Sequence, residues 1–244
     1  LSFASALPLQ LTHLTLEGGL RMRENLRVMV GLLVAVAMTG TAMADVISLQ
    51  DLMDSGTPLV SYDGTVEFSN FTYTPTVGAP DAASVNIITD DTLPNGIQVQ
   101  GAFQAFNGAA IDVLFGFDAA MVSGMDMTEA SLELVSSFAE GVVADPYAVS
   151  GVTINETISA GAESTDLLVW DAAEGTDRLM DTETLVGFGP MVTVLKDIGV
   201  TTVAVDGAES TAGTSLFTQA FVPEPATWAL LAATPALVLL RRRR

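Results

Sequence analysis

Side chains that could bind a metal ion are concentrated in one short acidic segment of the chain. Four carboxylates fall within residues 171–181: Asp171, Glu174, Asp177 and Asp181. Carboxylate oxygens are the ligands that calcium prefers, and a loop this rich in them can wrap one ion. The spacing differs from that of an EF-hand, so the segment indicates either a calcium site or a plain acidic loop.

Carboxylate pairs can also hydrolyse glycosidic bonds. Of the 29 acidic residues, Glu17, Glu24 and Glu224 lie outside residues 45–221, which leaves 26 inside that range, and no spacing selects two of them. The chain has no cysteine, and its one histidine, His13, precedes the range. Ser-His-Asp and Cys-His catalysis and histidine-ligated zinc or copper are therefore excluded from residues 45–221.

The charge balance excludes nucleic acid as a partner. The chain has 9 Lys and Arg against 29 Asp and Glu, a formal net charge of -20. Within residues 45–221 only Arg178 and Lys196 are basic, so the net charge there is 2 minus 26, or -24. Such a surface repels phosphate backbones and anionic membranes and accumulates cations.

The elements that position these residues lie between two sorting segments, and the first is an export signal. A basic start at residues 22–27 precedes the uncharged residues 28–38, and the small residues Ala42 and Ala44 come before Asp45. This three-part pattern is typical of a secretory signal peptide and is too short for a stable membrane anchor. We expect export by the general secretory translocase and cleavage by signal peptidase between Ala44 and Asp45.

Residues 1–21 precede that signal peptide, although a signal peptide should itself begin with its basic region. The basic region starts at Met22. We interpret residues 1–21 as the product of a misassigned upstream start, with a genuine extended leader as the alternative.

The second sorting segment is residues 222–244. An uncharged run at residues 226–240 separates a short motif, Val222, Pro223, Glu224 and Pro225, from the basic cluster Arg241, Arg242, Arg243 and Arg244. As a helix the run reaches about 22 Å, so spanning a hydrocarbon core of about 30 Å needs bilayer thinning or snorkelling arginines. The positive-inside rule places the arginines in the cytoplasm and residues 45–221 outside that membrane.

The motif, the apolar helix and the terminal arginines, in that order, resemble the PEP-CTERM sorting signal of exported Gram-negative bacterial proteins. The resemblance covers residues 222–244. It implies an exosortase as the processing partner and an inner-membrane anchor before processing. It also implies delivery to the cell surface or to an exopolysaccharide matrix.

Residues 45–221 predict an all-β fold. Short apolar alternations recur between turn dipeptides such as Asn95-Gly96 and Asn107-Gly108. The predicted strands are residues 66–73, 84–88, 97–106, 111–117, 149–158, 167–170, 191–195, 200–205 and 216–221. About nine or ten short antiparallel strands favour a β-sandwich, with a barrel as the alternative.

Two further stretches fit a helical pattern. Residues 46–53 place apolar side chains on one helical face and predict a short leading helix. Residues 126–140 begin at capping-box spacing. Because Leu132 and Leu134 alternate with polar residues, however, we favour a strand over residues 131–136.

Three functions remain open. The first is a non-enzymatic surface or matrix protein, the second a carbohydrate-binding module and the third a carboxylate-based glycoside hydrolase. Trp and Tyr number five in all, and Trp228 belongs to the tail, so aromatic platforms for sugar stacking are sparse. Trp170 lies among apolar residues and is interpreted as a core residue, with sugar stacking as the alternative. This composition favours the first function.

Overall fold

The structure is a computed structural model that describes residues 44–140, 150–173, 176–203 and 209–224. These residues form twelve strands, a short α-helix and a 3-10 turn. The helix α1 is Leu49–Ser55 and the 3-10 turn is Ala82–Ser84. The strands are β1 (Asp45–Ser48), β2 (Leu59–Val60), β3 (Val66–Pro75), β4 (Asn86–Thr89), β5 (Gly96–Phe106), β6 (Ala110–Met121), β7 (Met127–Glu140), β8 (Gly151–Ala160), β9 (Glu163–Ala172), β10 (Met180–Thr184), β11 (Met191–Thr201) and β12 (Thr211–Pro223).

The strands form two six-stranded antiparallel sheets. In sheet A the order is β1-β4-β5-β12-β7-β10, and in sheet B it is β2-β3-β6-β11-β8-β9. Their apolar faces enclose one continuous core. The prediction of an all-β fold with two antiparallel sheets and a short helix is confirmed, and the arrangement is sandwich-like.

Along the central strands, buried apolar side chains alternate strictly with outward-facing ones, and the buried set forms the core. In β11, Val194 and Ile198 are fully buried, whereas Thr193 and Leu195 point outward. Phenylalanine rings from both sheets fill the middle: Phe68 and Phe117 of sheet B lie 5.9 Å apart, and Phe68 lies 6.3 Å from Phe221 of sheet A. Burying each such side chain contributes about 1.5–3 kcal/mol, so these rings hold the sheets together.

The predicted leading helix begins later than residues 46–53. Residues 45–48 instead form β1, which pairs with β4. The helix starts at Leu49 because the hydroxyl of Ser48 accepts a hydrogen bond from the backbone N–H of Asp51 at 3.1 Å. It ends at Gly56, whose φ of 59° is the left-handed conformation that glycine adopts at helix ends.

Two of the predicted strands are one strand in the structure. β11 runs without interruption through residues 196–199, which fall between the predicted strands 191–195 and 200–205. Those residues include the charged pair Lys196-Asp197, yet Lys196 keeps the inward position that the alternation gives it. The predicted strand over residues 131–136 is confirmed, and it is longer than predicted, Met127–Glu140. Residues 204–205 lie outside the described residues.

The turn at Asn107-Gly108 joins the two sheets. Both residues have positive φ angles, 48° and 83°. Such a pair is typical of a hairpin within one sheet. Here the turn carries the chain from β5 of sheet A to β6 of sheet B, and the backbone N–H of Asn107 donates to the carbonyl of Ser210 at 2.9 Å.

The two sides of the sandwich are closed in different ways. On one side, α1 follows β1 of sheet A and precedes β2 of sheet B. On the other, Trp170 in β9 and Arg178 exchange backbone hydrogen bonds of 2.8 and 3.0 Å. Leu134 of β7 donates to the carbonyl of Leu179 at 2.8 Å, so residues 178 and 179 join sheet B to sheet A.

Phe117→Ala should lower the free energy of unfolding by about 3–5 kcal/mol, because it leaves a cavity in the aromatic cluster. The ring of Phe117 is 2% exposed and lies 5.5 Å from that of Phe115 and 5.9 Å from that of Phe71. The control is Phe106→Ala, since Phe106 is 55% exposed. Chemical denaturation measures the free energy of unfolding of both variants. Equal losses of stability would contradict the role of Phe117 in the core.

Candidate functional site

The acidic segment predicted to bind calcium is spread over two strands. Asp171 lies in β9, Asp181 lies in β10, and Asp177 lies between them. An oxygen of Asp177 accepts a hydrogen bond from the backbone N–H of Ala172 at 3.2 Å. Glu174 lies outside the described residues. Within the described ranges no three His, Asp or Glu side chains are placed to hold a metal ion, so calcium binding here stays a prediction.

Both carboxylate oxygens of Asp181 are engaged by donors within the protein. It is 6% exposed and accepts hydrogen bonds from the backbone N–H groups of Leu168 at 2.8 Å and Thr182 at 2.9 Å. It also forms an ion pair with Arg178. The carboxylate therefore connects β10 to β9 at the closed side of the sandwich.

Trp170 is not a core residue. Leu167 and Val169 are fully buried, and Trp170 therefore points to the opposite, outer face of β9, where it is half-buried. Its indole N–H donates to the carbonyl of Thr176 at 2.7 Å, and the guanidinium carbon of Arg178 lies 5.9 Å from its ring centroid. The prediction was wrong because it rested on the apolar residues that precede Trp170 in the sequence and not on the alternation of side chains along β9.

The predicted cleavage site coincides with the start of the first strand. Ala44 is exposed, and β1 begins at Asp45, which is exposed too. Ala42 lies outside the described residues.

The predicted sorting motif begins where the last strand ends. Val222 and Pro223 are the final residues of β12, and the carbonyl of Val222 accepts from the hydroxyl of Thr128 at 3.2 Å. The backbone N–H of Glu224 donates to the carbonyl of Asp126 at 2.8 Å. The first three motif residues are thus fixed against the start of β7.

The remainder of that segment, Pro225, the apolar run and Arg241, Arg242, Arg243 and Arg244, lies outside the described residues. In the part of the chain that is described, no helix is long and apolar enough to cross a membrane.

The outer face of sheet B carries two groups of carboxylates. Asp118 accepts hydrogen bonds from the amide of Asn70 at 2.7 Å and from the hydroxyl of Thr193 at 2.6 Å. Asp197 and Asp112 lie on the neighbouring strands β11 and β6, and a hydrogen bond between their carboxyl groups raises the pKa of Asp197.

Three shallow clefts lie on the described surface. Their volumes are about 420, 300 and 280 Å³. The first lies where β8 turns into β9 beside the start of β11, the second beside the end of α1, and the third on the outer face of sheet A. Apolar and hydroxyl side chains dominate all three, and Glu133 in the third is the one ionisable side chain among their linings.

The interior holds a cluster of three polar side chains that the sequence analysis missed. Lys196 of β11, Glu156 of β8 and Gln219 of β12 are all fully buried between the sheets. Lys196 lies directly opposite Glu156 in the strand register and forms an ion pair with it. Its Nζ also donates to Oε1 of Gln219 at 2.6 Å, so the contact extends from sheet B to sheet A.

Burial shifts the pKa values of the two ionisable residues in this cluster, Glu156 and Lys196. It raises the pKa of Glu156, against the opposing effect of the Lys196 charge. It also lowers the pKa of Lys196, against the opposing effect of Glu156. Both directions favour the uncharged forms, because transferring an ion from water to an apolar interior is costly.

Aromatic rings surround the amine. The Nζ atom of Lys196 lies 5.9 Å from the ring centroids of Phe117 and Phe217. Two polar atoms of the cluster, Oε1 of Glu156 and Nε2 of Gln219, are buried without a hydrogen-bond partner. A signal for the cluster exists in the sequence, since each of the three residues occupies an inward position of an alternating strand.

No family model and no curated protein matches this chain. Among solved structures, a carbohydrate-binding module in complex with beta-1,4-galactotriose has a TM-score of 0.32 and 8% identity, over 70% of this chain and 94% of that one. The enzymatically active domain of bacteriophage CBA120 tailspike protein 4 has a TM-score of 0.24 and 8% identity, over 63% of this chain and 20% of that one. Likenesses this distant say nothing about what this chain does.

Asp197→Asn should raise the melting temperature slightly at pH 7. Because the pKa of Asp197 is raised in the folded protein, folding loses stability as the pH rises through that pKa, and asparagine removes the loss. The gain should fade at pH 3, below the ordinary aspartate pKa of about 3.9, where the carboxyl is protonated in both states. It should also shrink with added salt, because the site is largely exposed.

Thermal unfolding at pH 7 and pH 3 measures the melting temperature of Asp197→Asn relative to that of the unmodified protein. Asp91→Asn, at an exposed turn carboxylate, is the control and should change the melting temperature less. The same response from both variants at both pH values would argue against the carboxyl contact.

Proposed function

We propose that the protein is an exported, non-enzymatic component of the cell surface or of an exopolysaccharide matrix, delivered by an exosortase that reads residues 222–244. The observation that carries this proposal is the position of the folded body within the chain. β1 begins at Asp45, the first residue after the predicted signal peptide, and β12 ends at Pro223, inside the predicted motif. The sandwich thus fills the interval between the two sorting segments.

The distribution of charge supports a surface role. Both basic residues of residues 45–221 are paired: Lys196 with Glu156 in the core and Arg178 with Asp181 at the closed side. The other acidic residues in that range, 26 minus 2, or 24, are in excess over the basic side chains. A surface of this kind keeps a protein soluble at high concentration and holds a layer of mobile cations.

A matrix role also fits the shape of the surface. The described clefts are shallow, and Glu133 is the one carboxylate among their linings. The indole of Trp170 is engaged with Thr176 and Arg178, which leaves it poorly placed as a platform for sugar rings.

Glu224→Ala should impair processing of the C-terminal segment and leave membrane insertion intact. The substitution removes the charged residue of the motif, while the apolar run and the arginines that set the membrane topology are unchanged. Cell fractionation and the mass of the C-terminal peptide measure the two steps. Glu140→Ala is the control, because Glu140 is an exposed acidic residue at the end of β7.

Neutral residues in place of Arg241, Arg242, Arg243 and Arg244 should instead disturb the membrane topology. Normal surface delivery and processing of Glu224→Ala would show that an exosortase does not read the motif. In that case the segment is a plain membrane anchor.

The exported protein should begin with Asp45-Val46-Ile47, because signal peptidase cuts after a small-x-small pattern. N-terminal sequencing of protein recovered from the cell surface or the medium checks this. Ala44→Leu, which destroys the pattern, should leave a longer N-terminus. Recovery of any peptide from residues 1–21 would contradict the assignment of Met22 as the first residue.

A further inference from the structure

The buried cluster combines an amine, a carboxamide and a carboxyl group, which are the three groups that amide exchange requires. Lys196 supplies the amine, Gln219 the carboxamide and Glu156 the carboxyl. We propose that the Nζ of Lys196 forms an amide bond with Cδ of Gln219, with Glu156 as the proton-transfer group, and that the bond covalently joins sheet B to sheet A.

The geometry places the reacting groups in contact. The Nζ of Lys196 donates to Oε1 of Gln219 at 2.6 Å. The carbon to be attacked, Cδ, is bonded directly to that oxygen, at about 1.23 Å. The same amine contacts Oε2 of Glu156. All three side chains have no exposure to solvent and are held by strands of a packed core. Holding reactants in this way gives effective concentrations far above those in solution.

The protonation of the cluster favours the reaction. An amine attacks a carbonyl only when it is uncharged, and burial lowers the pKa of Lys196. Burial raises the pKa of Glu156, so its carboxyl can hold the proton that the amine releases. The rings of Phe117 and Phe217 flank the amine and keep this environment apolar.

The two unpartnered atoms are those that the reaction uses. Nε2 of Gln219 is a buried donor without an acceptor, and Oε1 of Glu156 is a buried acceptor without a donor. Unmade buried hydrogen bonds are costly in a native protein. Loss of Nε2 as ammonia removes the unpartnered donor, and the new amide keeps the Oε1 carbonyl of Gln219.

The atoms balance without an outside reagent. A proton first passes from the Lys196 ammonium to the Glu156 carboxylate. The neutral amine then attacks Cδ of Gln219, which forms the Nζ–Cδ bond and a tetrahedral adduct. Glu156 then gives its proton to Nε2, so that the Cδ–Nε2 bond breaks and ammonia leaves, and the carboxylate so formed takes the second amine proton and ends protonated. No oxidant or metal is needed, and the product is a neutral secondary amide.

The location of the bond gives it a structural purpose. The protein has no cysteine and therefore no disulfide. β11 lies in sheet B and β12 in sheet A, so the amide ties the two sheets through the middle of the core. A link of this type acts as a disulfide does, by restricting the unfolded chain, and is insensitive to reductants.

Tryptic digestion of the denatured full-length chain tests the bond directly. Arg178 and Lys196 are the basic residues of 45–221, so an unmodified chain is cut after both. An amide-linked Lys196 resists trypsin, and the peptide beginning at Leu179 should continue past residue 196. Its mass should be about 17 Da below the sequence value, the loss of one ammonia. A second protease acting between residues 196 and 219 should leave the two pieces joined.

Variants identify the roles of the three groups. Glu156→Gln keeps the side-chain volume and should abolish the mass loss and restore cleavage after Lys196. Gln219→Met should do the same, because no carboxamide remains. Gln100→Met is the matched control, since Gln100 is exposed on the neighbouring strand β5, and it should retain the link. Circular dichroism confirms that each variant is folded.

The wild-type chain decides the proposal even if a core variant fails to fold. Cleavage after Lys196 with an unshifted mass would overturn it. A loss of about 18 Da, or a loss that persists in Gln219→Met, would show that Lys196 has condensed with Glu156 by releasing water, which overturns the assignment of Gln219.

Discussion

The contact between Lys196 and Glu156 is the constraint on which the packing of this sandwich depends. Placing ionisable groups in an apolar interior costs several kcal/mol each, and only a close partner offsets the cost. The partner is available in one register alone, with Lys196 opposite Glu156 across β11 and β8. A slip of β11 by one residue would turn Lys196 to the outside, leave Glu156 buried without its partner and bring Asp197 into the core.

Gln219 extends the same constraint to the other sheet. It accepts from Lys196 at 2.6 Å and sits between Phe217 and Phe221 on the inward face of β12. Apolar contacts between two sheets tolerate small displacements, whereas a hydrogen bond in a dry interior does not, because the unpartnered group would remain buried. The cluster therefore fixes how sheet A faces sheet B as well as the register within sheet B.

The sequence predicts the strands well where turn dipeptides and alternation agree, as in β3 and β5. It fails where a charged residue takes an inward position. The two predicted strands stop on either side of residues 196–199, where the charged pair Lys196-Asp197 interrupts the apolar pattern of β11. The same alternation that buries Val194 and Ile198 places Lys196 between them on the inward face. The alternation by itself therefore predicts that Lys196 is buried.

Other features cannot be obtained from a single sequence. The meeting of Glu156 with Lys196 depends on the order of strands in sheet B, which short local patterns do not encode. The carboxyl contact between Asp112 and Asp197 has the same origin, because the two residues lie far apart in sequence on neighbouring strands. The start of α1 was missed because residues 45–48 find their strand partner only once β4 is in place.

The lengths of the outermost strands limit how molecules of this protein can associate with one another. A sheet ends in a row of free backbone donors and acceptors, which another molecule can extend into a fibre. Here β1 has 4 residues, β2 has 2 and β10 has 5, so three of the four sheet ends offer little backbone for such growth. The fourth, β9, is longer, and its backbone at Trp170 is already bonded to Arg178. Molecules of this kind can crowd together without polymerising through their edges.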